Sequence, residues 1–320
     1  MSRSGLFAGK VTMASPANDA PTIKQEGYCW MEYGLDIEAG PPTPFSFKIT
    51  TDDVSYQLPL QQYLYDLVTP AVYDFYVDWG NGEPIDHITA WNQSEANHPY
   101  FGDTGEYTIE ITGNISAFGY VYGGDNAFDN DMVTGFVSWG NLTTHDVDAW
   151  PEMWSDCTNM VYLATDAPDL TGVTQMWDMF WYCEALGTGG DWSGWDVSLV
   201  EDLDSFFQNC TDFNNASIGG WDVSSNYYFN ELFEDSAFNS DISAWTPIAG
   251  GVFDNFLRNP SFSTANYDLL LNAWSLLTFD ESGFGFGALN VEYTISTSQA
   301  ARDILTSAPN NWSIVDGGGV

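Results

Sequence analysis

Between Pro151 and Phe262 one pattern recurs four or five times at nearly constant spacing, and no other feature constrains the fold as strongly. Gly194-Trp195-Asp196-Val197-Ser198 returns as Gly220-Trp221-Asp222-Val223-Ser224. Twelve residues after Trp195, Trp221 and Trp245 stand Phe207, Phe233 and Leu257, and three residues further on stand Cys210, Ser236 and Pro260. Extended back through Cys183 to Cys157, this last column advances in steps of 26, 27, 26 and 24 residues. A period of this size predicts stacked coils, each burying its apolar side against its neighbours.

Within a coil the apolar spacing is helical. Val173, Met176, Met179, Phe180 and Cys183 repeat as Val200, Leu203, Phe206, Phe207 and Cys210, and in part as Phe229, Leu232 and Phe233. Offsets of three, six, seven and ten place these side chains on one face of a short helix, with Asp178, Asp202, Asp204, Glu231 and Asp235 on other faces. The Trp-Asp-Val-Ser segment before each helix suits a short strand or turn.

At these residues the chain resembles the BspA-like leucine-rich-repeat family of bacterial and phage surface proteins. Coils in that family read roughly W-D-V-S, M-x-x-M-F, C or A, F-N, then D-I-S-x-W. Phe213-Asn214, Phe238-Asn239 and Asp241-Ile242-Ser243-Ala244-Trp245 follow the pattern, over about a third of the chain. The first coil departs from it, with Leu142 and Pro168 in the Trp column. The resemblance implies a leucine-rich-repeat-like solenoid over 151–263, and the Tyr267–Trp274, Ala300–Leu305 and Trp312–Gly319 segments resemble the closing piece of such proteins, an α/β cap over 264–320.

The charge is lopsided: 45 acidic residues against 6 basic give a formal −39 at pH 7. Nucleic acid is excluded as a partner, because phosphate recognition needs Lys and Arg clusters that are absent. A surface this acidic fits a salty medium, where charges are screened, or is simply a solvated surface. With 44% apolar and 16% aromatic residues the chain is expected to be ordered. No export signal is legible, since Arg3 and Lys10 flank only Gly5-Leu6-Phe7-Ala8-Gly9, and no run of some 18 apolar residues predicts a membrane span.

Residues 1–44 read as an anchoring arm rich in Pro and holding Arg3, Lys10 and Lys24, with Leu6, Phe7, Tyr28, Trp30 and Tyr33 as candidate apolar contacts to a neighbouring protein. From 45 to 114 the pattern alternates, as in Phe45–Ile49, Phe75–Trp79 and Tyr107–Ile111, which predicts half-buried strands. Asp78-Trp79-Gly80-Asn81-Gly82, His98-Pro99-Tyr100 and Gly105–Ile109 resemble the turn, H-x-Y and G-x-Y segments of a PKD-like domain, which implies an antiparallel β-sandwich acting as a spacer. Residues 115–150 are a join or a degenerate first coil. There Asp125, Asp129 and Asp131 are weak calcium candidates, although their spacing lacks a full calcium-loop signature and a plain polar loop is the favoured account of them.

The fold class expected is therefore α+β: arm, β-sandwich, solenoid of about 24–27-residue coils, and cap. No catalytic constellation is legible. His87, His98 and His145 are scattered, no phosphate-binding loop or dinucleotide fingerprint occurs, and carboxylates this numerous form pairs by chance. Three of four cysteines, Cys157, Cys183 and Cys210, share one column and suit reduced packing, although stacked coils would also allow a disulfide. No cofactor other than calcium has candidate ligands. Trp181, Tyr182, Trp192, Tyr227 and Tyr228 fall off the core offsets and, flanked by Asp and Asn, are candidates for stacking on sugar rings; filling contacts between coils is the alternative. The expectation is a non-enzymatic structural or adhesive virion surface protein, a head decoration, fibre or tail-associated component. Its partners would be other virion proteins through the arm and a host glycan or protein through the repeats, and it is compatible with a homo-oligomer. The alternative is a bacterial cell-surface adhesin.

Overall fold

Alternating apolar residues from Phe45 onward build a sheet whose buried face is aromatic. The structure, a computed structural model, describes residues 42–52, 54–64, 68–100, 104–119, 130–142, 150–248, 250–277 and 285–320. The elements named here belong to the unit Thr43–Val320. The arm residues Leu6, Phe7, Tyr28, Trp30 and Tyr33, and the calcium candidates Asp125 and Asp129, lie outside the described residues.

Strand β1 (Phe45–Asp52) turns Phe45, Phe47, Ile49 and Thr51 inward, the period of two that a half-buried strand requires. After β2 (Ser55–Gln57), β3 (Tyr73–Asp78), β4 (Asp86–Ile88) and β5 (Asn97–Pro99) comes the long β6 (Thr104–Ile115). It pairs antiparallel with β1, Phe47 opposite Ile109, and with β3, Phe75 opposite Gly113. Gly113 has φ +126, and a Cβ there would sit 2.4 Å from the Asp74 carbonyl oxygen. Beyond the join, β7 (Val133–Ser138) pairs antiparallel with β1, and β8 (Val161–Tyr162) pairs parallel with β7. The sheet order is β4-β3-β6-β1-β7-β8, with β2 and β5 forming a separate pair.

The expected α+β architecture of a β-sandwich over 45–114 and a solenoid of helix-bearing coils is corrected by these observations. The described residues form small sheets, the largest of them six-stranded and mixed, with two α-helices, α1 (Thr264–Trp274) and α2 (Ile295–Thr306), both after the repeats. In place of a sandwich closed at residue 114, the free edge of β1 is taken by β7 from the join, and β8 carries the sheet into the first repeat.

Among the described residues of the repeats no α-helix forms, only the short 3-10 turn Ala216–Gly220, and the reason is local. Glu152, Asp178, Ser205, Glu231 and Asn255 have φ between +54 and +58, and Asp156, Tyr182, Asn209, Asp235 and Asn259 have φ between +51 and +62. A left-handed residue every four positions breaks a right-handed helix, and most of these are the short polar types that tolerate that conformation. The chain instead directs alternate amides sideways. Glu152, Trp154 and Asp156 donate their N–H groups to the carbonyls of Trp177, Met179 and Trp181 at 2.7–3.1 Å. Asp178, Phe180 and Tyr182 do the same to Asp204, Phe206 and Gln208 at 2.9–3.2 Å, and Glu231, Phe233 and Asp235 to Asp254, Phe256 and Arg258 at 2.9–3.1 Å. The tiers are further joined by parallel bridges Gln175–Asp202–Tyr228–Val252.

The Trp-Asp-Val-Ser segments are turns held by the aspartate: Asp196 and Asp222 each accept the N–H of the serine two residues on, at 3.2 and 3.0 Å, and Asp191 and Asp241 do the same in the segments that lead to Trp195 and Trp245, at 2.9 and 2.8 Å. Their tryptophans stack across tiers, Trp195 on Trp221 at 6.0 Å and Trp221 on Trp245 at 6.4 Å. The indole N–H groups of Trp221 and Trp245 reach the carbonyls of Trp192 and Ile218 at 2.9 and 3.0 Å, so these large apolar rings are buried without stranding a donor. One continuous core runs from Phe45 to Trp312.

The last tier is closed by β9 (Gly285–Tyr293), which accepts Leu257 and Asn259 amides at Gly287 and Leu289, and by β10 (Ser313–Gly319) parallel to β9. Helix α1 buries Tyr267, Leu270, Leu271 and Trp274, the i, i+3, i+4, i+7 set of an amphipathic helix, and Ser263 caps it by accepting the Asn266 N–H at 3.3 Å. Among the described residues no helix is long and apolar enough to cross a membrane.

Candidate functional site

The lateral amide ladder has a consequence for the side chains around it. Within each tier the residues at the Met153, Trp154 and Cys157 positions point inward, while those at the left-handed positions are half-buried or exposed. The outer side of the strip therefore carries Trp177, Asp178, Trp181 and Tyr182 in one tier, Asp204, Ser205, Gln208 and Asn209 in the next, and Asn230, Glu231 and Asp235 in the one after, where Glu234 is buried beneath them. Tyr227 and Tyr228 stand beside it, Tyr228 in the bridge column between Asp202 and Val252.

Side-chain hydrogen bonds tie this face together across tiers. The Trp181 indole N–H donates to Gln208 Oε1 at 2.6 Å, and Gln208 Nε2 donates to Glu231 Oε2 at 2.9 Å and Glu234 Oε2 at 3.2 Å. Glu234 pairs with Arg258 at 2.9 Å. In parallel, Asn230 donates from its backbone N–H to Asp204 Oδ1 at 2.6 Å and from Nδ2 to Oδ2 at 2.9 Å, and its Oδ1 accepts the Asp254 N–H at 3.0 Å. Chains of this kind fix rotamers and leave a pre-organised surface.

The carboxylates are short of countercharge. Burial, with Asp178 adding to it, pushes Glu152 up to about 7. Burial likewise pushes Asp178 and Asp202 up to about 6, and raises Asp204 and Glu234. Over residues 151–263 the only basic residue is Arg258, already held by Glu234.

Four of the aromatic candidates lie on or beside this face. Trp181 and Tyr182 are half-buried and meet edge to face at 4.2 Å. Tyr227 and Tyr228 are 39% and 41% exposed and meet edge to face at 4.7 Å. Trp192 is a correction: it is 0% exposed and stacks on Tyr162 at 4.0 Å, because its tier turns it inward beside the Trp195 column. Of the calcium candidates only Asp131 is described. It accepts Thr158 Oγ1 at 3.1 Å, and among the described residues no group of three or more His, Cys, Asp or Glu side chains is placed to hold a metal.

Cys157, Cys183 and Cys210 are free and buried. The Cys183 thiol donates to the Trp154 carbonyl at 3.0 Å and the Cys210 thiol to the Phe180 carbonyl at 3.1 Å, one tier back in each case. Burial pushes all three thiols above the usual range, which disfavours the nucleophilic thiolate. His98 is structural: it stacks on Trp79 at 4.7 Å and its Nε2 meets Asn81 Nδ2 at 2.8 Å.

Sequence reasoning missed Trp177, Gln208 and Asn230 as members of the face. The signal for the face was present in the polar columns at Glu152/Asp178/Glu231 and Asp156/Asn209/Asp235, whose Asp and Asn content favours left-handed backbone.

A family model described as "Mycoplasma protein of unknown function, DUF285" matches residues 148–265, the repeat block. No curated protein and no solved structure matches the chain.

Proposed function

We propose that the protein is a non-enzymatic adhesive surface component whose repeat face binds a glycan. The observation that carries this reading is the fixed outer face on which the Trp181/Tyr182 and Tyr227/Tyr228 pairs are framed by Asp, Asn and Gln side chains. Aromatic faces supply area for sugar rings at little entropic cost, and hydrogen-bonded carboxylates and amides supply directional acceptors for hydroxyls. The test is binding of the full chain to a panel of immobilised neutral, amino and acidic oligosaccharides. Trp181→Ala and Tyr228→Ala should each weaken binding at least tenfold while leaving the melting temperature within a few degrees. Wild-type affinity in both variants would remove the face from the account.

For its place of display we propose the surface of a phage virion, with the 1–44 arm attached to a capsid or tail protein. This rests on the resemblance of the repeats to a family of phage and bacterial surface proteins. The second reading, a bacterial cell-surface adhesin, is favoured by one observation: the matching family is described from Mycoplasma, a cellular source. Peptide mass spectrometry of density-purified particles against washed cell envelopes separates them. A fixed ratio to the major capsid protein supports the virion, and recovery in envelopes alone supports the adhesin.

A further inference from the structure

We propose that the ligand of this face is cationic, an amine-bearing polysaccharide of the deacetylated hexosamine type; this rests on the glycan-binding reading above. Charge complementarity argues for it. Eighteen acidic residues and one basic residue fall within 151–263, and the one cation, Arg258, is held by Glu234 at 2.9 Å. The face offers an approaching anion a single cation, one already paired, among many carboxylates, so uronic acids, sialic acids and phosphate-bearing polymers meet net repulsion.

The aromatic pairs sharpen the choice between a neutral and a cationic sugar. Tyr227 and Tyr228 donate their backbone N–H groups to the Glu201 carbonyl at 2.8 and 3.1 Å, and all three residues are exposed. Trp181 and Tyr182 lie in the tier of Asp178, with Glu231 reached through Gln208. A protonated amine beside such a ring gains from the ring quadrupole and from the carboxylate together, whereas an acetamido group gains from neither charge. The half-buried carboxylates add to this, because burial already holds Asp178 and Asp202 up to about 6, and a cation seated beside them supplies the missing countercharge. A sugar polymer also suits the repeat, since the two pairs stand in different columns of tiers two apart along one ladder, and only an extended ligand reaches both.

The experiment is calorimetric titration of the full chain with the glucosamine hexamer, the N-acetylglucosamine hexamer and a hyaluronan-type acidic oligosaccharide, in 50 and 300 mM salt. The amine hexamer should bind at least tenfold tighter than the acetylated one and weaken severalfold at the higher salt, and the acidic one should not bind. Because any acidic protein attracts a polycation, the deciding variants leave the charge unchanged: Trp181→Ala and Tyr228→Ala should each lose at least tenfold for the amine hexamer. Full retention of amine binding in both would reduce the effect to general electrostatics and overturn the proposal. Glu231→Gln should lose several-fold for the amine and nothing for the acetylated sugar. Equal affinity for the two hexamers, or preference for the acidic one, would overturn the cationic ligand and leave glycan binding standing. Absence of binding to every sugar would overturn both.

Discussion

Asp178 shows how a single side chain records the conflict in this molecule. It occupies a left-handed position, φ +54, where its amide serves the lateral ladder, and burial beside Asp204, Glu231 and Asp202 pushes its carboxyl up to about 6. The folded state therefore binds protons more tightly than the unfolded chain does. That stabilisation is fully present below the unfolded value near 4 and is lost as pH rises through about 6 for Asp178 and Asp202 and about 7 for Glu152. The melting temperature should thus fall between pH 5 and pH 8, more steeply in low salt. Asp178→Asn should raise stability at pH 8 by roughly 1 kcal/mol and flatten the profile, as read by denaturant titration at both pH values. A variant no more stable than wild type at pH 8 would mean that Asp178 is compensated in solution.

At the same scale, the inward residues were legible from spacing alone. Met176, Met179, Phe180 and Cys183 are all buried. Their backbone conformation was misread, because offsets of three and four residues satisfy both a helix and a strip with a left-handed residue in every turn. Trp192 was misplaced for a related reason. It stands three residues before Trp195, and only the stacked tiers show that both rings enter the core, 4.9 Å apart.

Among the elements, the closing segment carries the clearest energetic weak point. Arg302 of α2 forks onto Asp316 of β10, Nε to Oδ2 at 2.7 Å and Nη2 to Oδ1 at 3.2 Å, and Asp316 also accepts the Tyr267 hydroxyl at 3.1 Å. The Asp316 side chain is 3% exposed. Removing the guanidinium leaves a buried carboxylate without its partner, so Arg302→Ala should cost about 3–5 kcal/mol. The double variant Arg302→Met with Asp316→Leu should recover much of that loss. Equilibrium unfolding measures both, and an Arg302→Ala loss below about 1 kcal/mol would contradict this view of the cap. The two helices, Thr264–Trp274 and Ile295–Thr306, fall within the closing segment expected over 264–320, because their apolar faces are local. The sheet was less legible. That β7 should join β1, and β8 join β7, depends on partners 84 or more and 26 residues apart, which no local pattern encodes.

For the whole molecule, the continuity of the core matters most. Trp154 packs on Phe47 at 5.4 Å and on Phe136 at 5.3 Å, so the first repeat and the six-stranded sheet share one interior. At the other end Phe253 and Trp274 meet Phe286 at 6.2 and 5.8 Å, joining the last tier to the closing strands. The outer face is thus mounted on a body braced at both ends, which suits the proposed role of that face as a pre-organised binding surface. The measurement that tests this account most directly is hydroxyl-radical footprinting of the full chain, with and without the tightest-binding oligosaccharide of the panel. Protection of Trp181, Tyr182, Tyr227 and Tyr228, with surface residues of β3 and β4 unchanged, is the predicted result. Protection confined to the six-stranded sheet, or no protection at saturating ligand, would contradict it.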